Sequence, residues 1–504
     1  MDKNKKEIKS ALVEAMWAYN KARVYPFHTP GHKGGRGLEK GFKSILSKTS
    51  QEMDVSLMSE LDDLHAPMTC LKKAQDNAAT LYGADRSFFA VNGTSEAIQA
   101  MIMSAIKPGE KILLPRNSHR SVASGIILAG AQCEYINPCY NEKYGFNTQI
   151  TAKKVKDALD KDSTIKAVLV TTPNYYGLCA NLKEIVKIAH AKNVLVLVDE
   201  AHGPHLGFSR KLPSSALSLG ADLVSQSTHK ILGAMTQGSI LHARGENIDL
   251  NKVAATMSLL TSTSPNYLLM GSIDAACTQL ANSGAKMMDD ALNAAEKLRA
   301  VLRSIPLLEV LEVEEALNLE EIEEFDSTKV TVKVSKLGLT GIEVGNILRR
   351  ARIAVELVDE NNVLFLVTYA DNNLEYESAL IRIKSVFERL AREAKQKKNF
   401  NETTLNEQKA PNIAFRNFDL PKARQVLAMR DAFYADFEFV PFKDSKGRIC
   451  AEQISFYPPG IPIILPGERI SAEILDYCFK MLSLGLPVSG PQDISLKTIR
   501  VVKE

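Results

Sequence analysis

Short apolar runs, separated by helical or loop patterns, dominate the chain from about Ala84 onward. The clearest are SFFAV, KILLP, KAVLVTTP, VLVLVDE, ADLVSQ and GSILHA. Runs that are apolar on both faces are typical of parallel strands covered by helices on both sides. The pattern therefore predicts an α/β unit built on a mainly parallel sheet.

The pattern of predicted strands and helices changes after this sheet. Residues 286–304 form a long helical pattern, which leads to VTVKV, a helix over 341–351, AVELV, VLFLVTY and a helix ending near Arg392. This strand-helix-strand-strand-helix order predicts a smaller α+β domain. We predict four parts, which are an N-terminal arm and linker (1–83), a large ligand-binding domain (84–304), the small α+β domain (305–400) and a C-terminal α+β domain (401–504).

Length and charge narrow the possible functions. A chain of 504 residues is longer than one compact core usually organises. A net charge of +3 gives no reason to expect nucleic acid or an anionic membrane as a partner. The acidic stretch 312–325 and the basic stretch 395–398 are expected to be a solvated face and a linker rather than binding sites.

The cysteines and the N-terminus bear on the compartment. The seven cysteines are scattered and never spaced as CxxC, so we predict neither a disulfide framework nor a thiolate metal site. The first twenty residues lack the continuous apolar core of a secretory signal, and no later run approaches a membrane span. We expect a cytoplasmic protein without a membrane segment.

Polar residues directly follow the apolar runs, which is where open α/β sheets bind ligands. SFFAV is followed by NGTSEA, in which a glycine permits a tight turn and Thr94 and Ser95 would open a helix. Backbone N–H groups and hydroxyls at such a helix start can hold a phosphate. Taken alone the motif is equally well read as an ordinary helix cap.

Two further strand ends carry an acid and a lysine. Asp199 follows VLVLV, and Lys230 follows ADLVSQ in the sequence STHK. A lysine at this rim could form a Schiff base with an aldehyde cofactor, while an aspartate could keep a pyridine nitrogen protonated. Together with the phosphate cradle, the pair indicates pyridoxal 5′-phosphate (PLP), bound by the large domain.

At this point the chain resembles the PLP-dependent ornithine/lysine/arginine decarboxylases of the aspartate-aminotransferase fold. The resemblance rests on FHTPGHKGG, NGTSEA, PRNSHRS, DEAHG, STHK, TSTSPNY and YPPGIPIILPGE, which together span nearly the whole chain. It implies that Lys230 is the Schiff-base lysine and that Asp199 pairs with the pyridine nitrogen. It also implies that the phosphate is bound by Thr94, Ser95, Ser227 and His229, and that His119 stacks on the ring.

The resemblance further implies a homodimer with shared active sites. In this family a hydroxyl of the TSTSP run reaches the neighbouring subunit's phosphate, and Thr261 is the first candidate, followed by Ser262 and Thr263. The larger members carry a wing domain before the FHTPGHKGG region, whereas about 25 residues precede it here. Higher assembly is therefore left open, and the chain is similar to the short bacterial form.

The remaining histidines admit several interpretations. His202, in a Gly-bounded turn three residues after Asp199, is expected beneath or beside the cofactor, and His205 has weaker support. The HxxH pair lacks a third ligand, so no metal is predicted. His28 and His32 either face the partner's active site or order the N-terminal arm.

The expected reaction is decarboxylation of a basic amino acid, with Lys230, Asp199, His119 and His202 as the catalytic set. Lys230 or a histidine would return a proton to the α-carbon. Similarity to the short bacterial forms favours arginine, giving agmatine and CO₂ in polyamine biosynthesis, over lysine or ornithine. Glu452 and Glu468 are candidates for binding the substrate side chain, or are structural salt-bridge members.

Two other classes remain as alternatives. An aminotransferase or lyase of the same fold would use the same acid and lysine, with a small-domain arginine holding the substrate carboxylate; the candidates are Arg349, Arg350, Arg352 and Arg382. A catalytically silent regulatory homologue would need neither Lys230 nor Asp199, and both are present.

Overall fold

The computed structural model describes residues 7–404, 421, 423–456 and 460–503. Its largest sheet has seven strands, whose order is Arg86–Ala90, Ser239–Ala243, Leu223–Gln226, Leu195–Asp199, Ile165–Thr171, Lys111–Pro115 and Gln132–Ile136. Ser239–Ala243 runs antiparallel to both of its neighbours, and the other pairings are parallel. The predicted mainly parallel sheet is confirmed.

Each of the six apolar runs contains a strand of this sheet. The seventh strand, Gln132–Ile136, was not predicted. It lies at the edge of the sheet, where its residues alternate between exposed and partly buried positions. An edge strand needs no continuous apolar run, so the pattern that reveals buried strands does not reveal this one.

Helices cover both faces of the sheet. Alternate side chains of Leu195–Asp199 enter two separate cores, with Val196 and Val198 in one and Leu197 in the other. The first core is packed against helices Ala11–Lys21, Cys70–Tyr82, Ala152–Lys161, Leu182–His190 and Tyr267–Arg303. The second is packed against helices Gly93–Ala105, Arg120–Ala129 and Leu250–Leu260.

The N-terminal segment takes part in this packing. Leu12 and Met16 of the first helix are buried in the core of the large domain. The Leu12 N–H also donates to the buried Asp274 carboxylate at 2.8 Å. Short helices Lys40–Ile45 and Lys48–Met53 follow, and Tyr267 OH donates to the Asp62 carbonyl.

The small domain has the predicted element order. Its four-stranded antiparallel sheet is ordered Glu309–Val310, Lys329–Lys333, Asn362–Leu366, Leu357–Val358, and it packs against helices Gly341–Arg350 and Leu374–Thr404. The last helix continues past Arg392, so the basic stretch 395–398, interpreted as a linker, is helical. A strand of this region, Ile322–Phe325, pairs with Leu178–Ala180 of the large domain.

The C-terminal part forms its own apolar core. Helix Ala472–Ser483 packs against short antiparallel strands, which are Phe437–Pro441 with Thr498–Val502, and Ile454–Phe456 with Pro462–Ile464 and Val488–Ser489. Residues 457–459 of the predicted YPPG turn lie outside the described residues. Within the described part of the chain, no helix is long and apolar enough to cross a membrane.

Candidate active site

A cavity of about 240 Å³ opens at the carboxyl ends of the parallel strands. Asp199, Lys230 and Thr94 line it from the large domain, Asp359 from the small domain and Tyr477 from the C-terminal part. The cavity therefore lies where open α/β sheets bind ligands, at a junction of three regions.

Asp199 is the last residue of its strand and is 3% exposed. Its Oδ1 accepts a hydrogen bond from the Ala201 N–H at 3.1 Å. Burial raises the pKa of this carboxyl, and the nearby Lys230 opposes that shift. A buried acid that faces a cavity with a single backbone donor is suited to a cationic ligand group.

Lys230 lies in the short helix Thr228–Ile231, which follows strand Leu223–Gln226. Its Nζ is 3.0 Å from His202 Nε2 and 5.6 Å from the ring centroid of Tyr175. Burial lowers the pKa of Lys230, and the Asp199 carboxylate partly offsets that effect. Desolvation therefore favours the neutral amine, which is the nucleophilic form of lysine.

His202 and His119 both line the cavity. Burial and the positive charge of Lys230 hold the pKa of His202 well below its usual value, and its Nδ1 is buried without a partner. His119 caps helix Arg120–Ala129, where its Nδ1 accepts from the Ser121 N–H at 3.3 Å. Burial lowers the pKa of His119 to about 4, so both imidazoles are neutral near pH 7.

The predicted phosphate cradle brings hydroxyls together across two strand ends. Thr94 Oγ1 lies 2.9 Å from Ser227 Oγ. Gly93 adopts φ of +72°, which opens helix Gly93–Ala105 and places Thr94 and Ser95 in its first turn. His229 is held nearby through its Nδ1, which donates to the Gly238 carbonyl at 2.9 Å.

Thr261 is connected to this cradle through an acid that the sequence analysis missed. Thr261 Oγ1 donates to Glu96 Oε1, and Glu96 Oε2 accepts from the N–H groups of Val91 and Asn92. Glu96 is 1% exposed, so it fixes the turn before the helix from inside. The proposed contact of Thr261 with a partner's phosphate stays a prediction.

Other predicted histidines are placed outside the cavity wall. His205 Nε2 lies 3.2 Å from Asp326 Oδ2 in a fully buried cluster. No group of three or more metal-ligating side chains occurs within the described residues. His32 Nε2 lies 3.1 Å from Asp54 Oδ2, and His28 Nε2 lies 2.7 Å from Tyr19 OH, which fits the arm-ordering interpretation.

The two glutamates considered for the substrate side chain have structural partners. Glu468, 1% exposed, accepts from Arg116 at 3.1 Å and from the Leu465 N–H at 2.8 Å. Glu452 accepts from the backbone N–H groups of Gln492 and Arg500. Neither is among the described residues that line the cavity, and the salt-bridge alternative holds for Glu468.

The arginines considered for an aminotransferase are also away from the site. Arg349, Arg350, Arg352 and Arg382 are all exposed. The described residues that line the cavity include no arginine. Among the described residues, these four arginines therefore do not take the carboxylate-binding position that the aminotransferase alternative requires.

The sequence analysis also missed a tyrosine pair that lines the cavity. The ring of Tyr175 lies 4.4 Å from that of His202, and Tyr176 OH donates to Asp359 Oδ2 at 2.7 Å. Both tyrosines come soon after strand Ile165–Thr171. The strand-end rule, applied to this third position, would have found them.

Comparisons with known proteins identify the family of the chain. Residues 10–375 match the family described as Orn/Lys/Arg decarboxylase, major domain, and residues 408–485 match its C-terminal domain. An arginine decarboxylase from Bacillus anthracis is 38% identical over 99% of this chain and 98% of its own. One from Halalkalibacterium halodurans is 40% identical over 98% of this chain and 97% of its own.

Lysine decarboxylases are more distant. The inducible enzyme of Escherichia coli K12 is 26% identical over 95% of this chain and 78% of its own. The crystal structure of Francisella novicida lysine decarboxylase superposes with a TM-score of 0.81 at 24% identity, covering 98% of this chain and 81% of that one. The second likeness shows a shared fold, which agrees with the predicted fold class.

Proposed function

Because the chain belongs to the Orn/Lys/Arg decarboxylase family, we propose that it is an arginine decarboxylase, which converts L-arginine to agmatine and CO₂ with PLP as its cofactor. The observation that carries the proposal is the pair formed by the buried acid Asp199 and the partly buried Lys230, which line the same cavity. The arginine decarboxylases at 38% and 40% identity support the substrate.

The residues of the cavity fit PLP. Thr94, Ser95 and Ser227 present hydroxyls at the start of a helix, where a phosphate is favoured. Asp199 would face the pyridine nitrogen, and Lys230 would hold the aldehyde carbon. When bound, PLP supplies an electron sink for the electrons left on the α-carbon as CO₂ departs.

The protein's own groups prepare this chemistry. Asp199 is the anion that would stabilise a protonated ring nitrogen, since a nearby charge favours the cationic form. His119, neutral at its cap position, would offer a flat face to the ring. The walls around Lys230 include Pro173, Tyr175 and Phe456, which exclude water from the reacting bonds.

Lys230 and His202 are placed to move a proton. Their nitrogens are 3.0 Å apart, and both groups have pKa values lowered by burial. A proton on one can therefore pass to the other without crossing solvent. We propose that Lys230 returns the proton to the α-carbon, and that the neutral His202 positions the Lys230 amine through this contact.

The proposed assembly is a homodimer in the cytoplasm. The N-terminal segment exposes large apolar side chains, among them Phe27 at 91%, Met68 at 80% and Ile45 at 76%, and Leu259 near the TSTSP run is 73% exposed. Exposed apolar side chains of this size are typical of an interface, and Leu259 is close to Thr261 in the sequence. All seven cysteines are free thiols, which suits a reducing compartment.

The test is CO₂ release and amine identification, with purified protein, PLP, and arginine, lysine and ornithine supplied separately. We expect agmatine to be the dominant product. Cadaverine or putrescine as the dominant product would overturn the substrate and leave the reaction class in place. If none of the three releases CO₂, the decarboxylase proposal fails and the aminotransferase or lyase alternative returns.

A further inference from the structure

The small domain contributes two adjacent acids to the cavity wall. Asp359 and Glu360 lie in the turn between strands Leu357–Val358 and Asn362–Leu366, and both line the cavity. The described lining contains one more acid, Asp199, which the proposed cofactor would occupy. These two carboxylates are therefore the acidic groups that the described lining offers to a cationic side chain extending away from Lys230.

Asp359 is already committed to internal hydrogen bonds. Its Oδ1 accepts from the N–H groups of Asn361 and Asn362, each at 2.7 Å, and its Oδ2 accepts from Tyr176 OH at 2.7 Å. The Asn362 side-chain amide donates to both oxygens at 3.0 Å. This carboxylate shapes the turn and orients Tyr176, and it has little capacity left for a ligand.

Glu360 is bound much more loosely. Its Oε1 lies 3.4 Å from Lys480 Nζ, which extends from helix Ala472–Ser483. The two side chains are 19% and 30% exposed, so the pair is partly desolvated at the cavity edge. A single long contact leaves a carboxylate able to exchange its lysine for a better cation.

The cavity that Lys230 and Glu360 both line has walls that suit a substrate with a methylene chain. Phe146 stacks on Tyr176 with ring centroids 4.1 Å apart, and Leu357 and Met481 complete an apolar surface. Methylene groups pack against such walls, and a guanidinium plane can lie on an aromatic face. The far end of this path therefore calls for a planar cation with two parallel donors.

We propose that Glu360 binds the distal cation of the substrate, and that Lys480 is the charge that an arginine guanidinium displaces. A guanidinium offers two parallel N–H groups to one carboxylate, whereas a primary ammonium offers a single point contact. Displacing Lys480 is thus favoured for arginine over lysine or ornithine. This inference rests on the proposed function, and it adds a specificity-determining pair built from two different domains.

The test is the Glu360→Gln variant, with citrulline as a neutral analogue of arginine that keeps its shape. We expect kcat/KM for arginine to fall about 100-fold, mainly through KM, because the charge-assisted bidentate pair is lost. The preference for arginine over citrulline should shrink by a similar factor. Glu360→Asp, which keeps the charge, should retain most of that preference.

Glu377→Gln is the matched control, because Glu377 also pairs with a lysine, Lys297, but outside the cavity lining. It should leave both substrate ratios unchanged. Lys480→Met should raise kcat/KM for lysine relative to arginine several-fold, since a weak cation then has no competitor. Binding of agmatine to each variant, followed by calorimetry, gives a readout that does not depend on turnover.

The outcomes separate the two proposals. If the unmodified protein releases no CO₂ from arginine, the proposed function fails, and Glu360 loses its premise with it. If the protein is active and Glu360→Gln keeps the full arginine-to-citrulline preference and agmatine affinity, the inference about Glu360 is overturned while the function stands. Should Glu360→Gln fail to fold, the Lys480→Met and Glu360→Asp variants still decide the question.

Discussion

The two ends of the cavity are built in different ways. The end that would hold the cofactor comes from strand ends of one sheet, with Asp199 and Ser227 separated from solvent by complete burial. The distal end is assembled from the small domain and the C-terminal helix, and its Glu360–Lys480 pair remains partly exposed. The cofactor end of the cavity is therefore built by one sheet, whereas the distal end lies where two regions of the chain meet.

This difference suggests a division of roles, in which groups at the cofactor end carry out the reaction and groups at the distal end select the substrate. A group set in the sheet acts on every substrate alike, because it touches only the atoms that all amino acids share. A group at the junction touches only the side chain of the substrate, so changes there alter the ranking of substrates. Substitutions at the cofactor end should therefore change the rate for every substrate and leave the ranking of substrates unchanged.

Lys230→Ala should abolish the reaction. We expect CO₂ release to fall at least about 10³-fold for arginine, lysine and ornithine equally, because the covalent attachment point of the cofactor is removed. Borohydride treatment with labelled PLP should no longer label the peptide that contains residue 230. Lys336→Ala, which removes an exposed lysine paired with Glu309, is the control and should retain full activity. Residual activity that differs among the three substrates would contradict the division.

Asp199→Asn should preserve the fold and slow the reaction. We expect kcat to fall about 10² to 10³-fold for every substrate, because a neutral amide cannot stabilise a protonated ring nitrogen. The measurement is kcat for each amino acid at saturating PLP, together with the absorbance spectrum of the bound cofactor. If Asp199→Asn changed the ratio of arginine to lysine activity, Asp199 would also contribute to recognition of the substrate side chain.

A buried charge cluster joins the large domain to the small domain. Lys329 Nζ lies 2.7 Å from Asp326 Oδ2, which also lies 3.2 Å from His205 Nε2, and all three side chains are at most 1% exposed. Asp326→Asn should cost about 3–5 kcal/mol of unfolding free energy, because Lys329 is left as an unpaired buried cation. Urea unfolding checks this value.

The double variant Asp326→Asn with Lys329→Met is the control for this cluster. It removes both charges, so it should recover about 2 kcal/mol relative to Asp326→Asn alone. If the double variant is as unstable as the single one, the loss comes from packing rather than from the buried charge. In that case the contact between the large and small domains is stabilised by side-chain packing and not by an ion pair.

The contrast between the cofactor end and the distal end of the cavity also explains which site residues could be predicted from the sequence. Asp199, Lys230, Thr94 and Ser227 were predicted together because each follows a strand, and parallel strands deliver their ends to one rim. The sequence left two roles open for Glu468, because its partner Arg116 is 352 positions away, and no local pattern distinguishes a buried salt bridge from a cavity wall.

The residues at the distal end of the cavity could not be predicted from local sequence patterns, for a related reason. Tyr176 meets Asp359 across 183 positions, and Glu360 meets Lys480 across 120. These contacts depend on how domains pack, which follows from summed surface complementarity rather than from any short motif. Strand Gln132–Ile136 was missed because a half-exposed edge strand carries polar residues.

Glu200→Gln tests the sheet itself and should have the smallest effect. Glu200 follows Asp199, is fully buried, and accepts from Gln226 Nε2 at 2.6 Å and from the Ala216 N–H at 2.8 Å. Burial raises its pKa to about 8. The amide is uncharged like the protonated acid, and its oxygen can keep one of the two hydrogen bonds, so activity near neutral pH should change less than about 3-fold for all substrates.

The pH dependence of stability is the sharper measurement for Glu200. A carboxyl whose folded-state pKa is raised binds a proton in the folded protein that the unfolded chain has lost. Its contribution to stability is therefore complete below about pH 4 and is lost as the pH rises to about 8. Between about pH 6.5 and pH 8, the protein should lose about 2 kcal/mol relative to Glu200→Gln. Parallel curves for the two proteins would show that Glu200 is ionised throughout, and that the sheet beneath Asp199 carries a second buried charge.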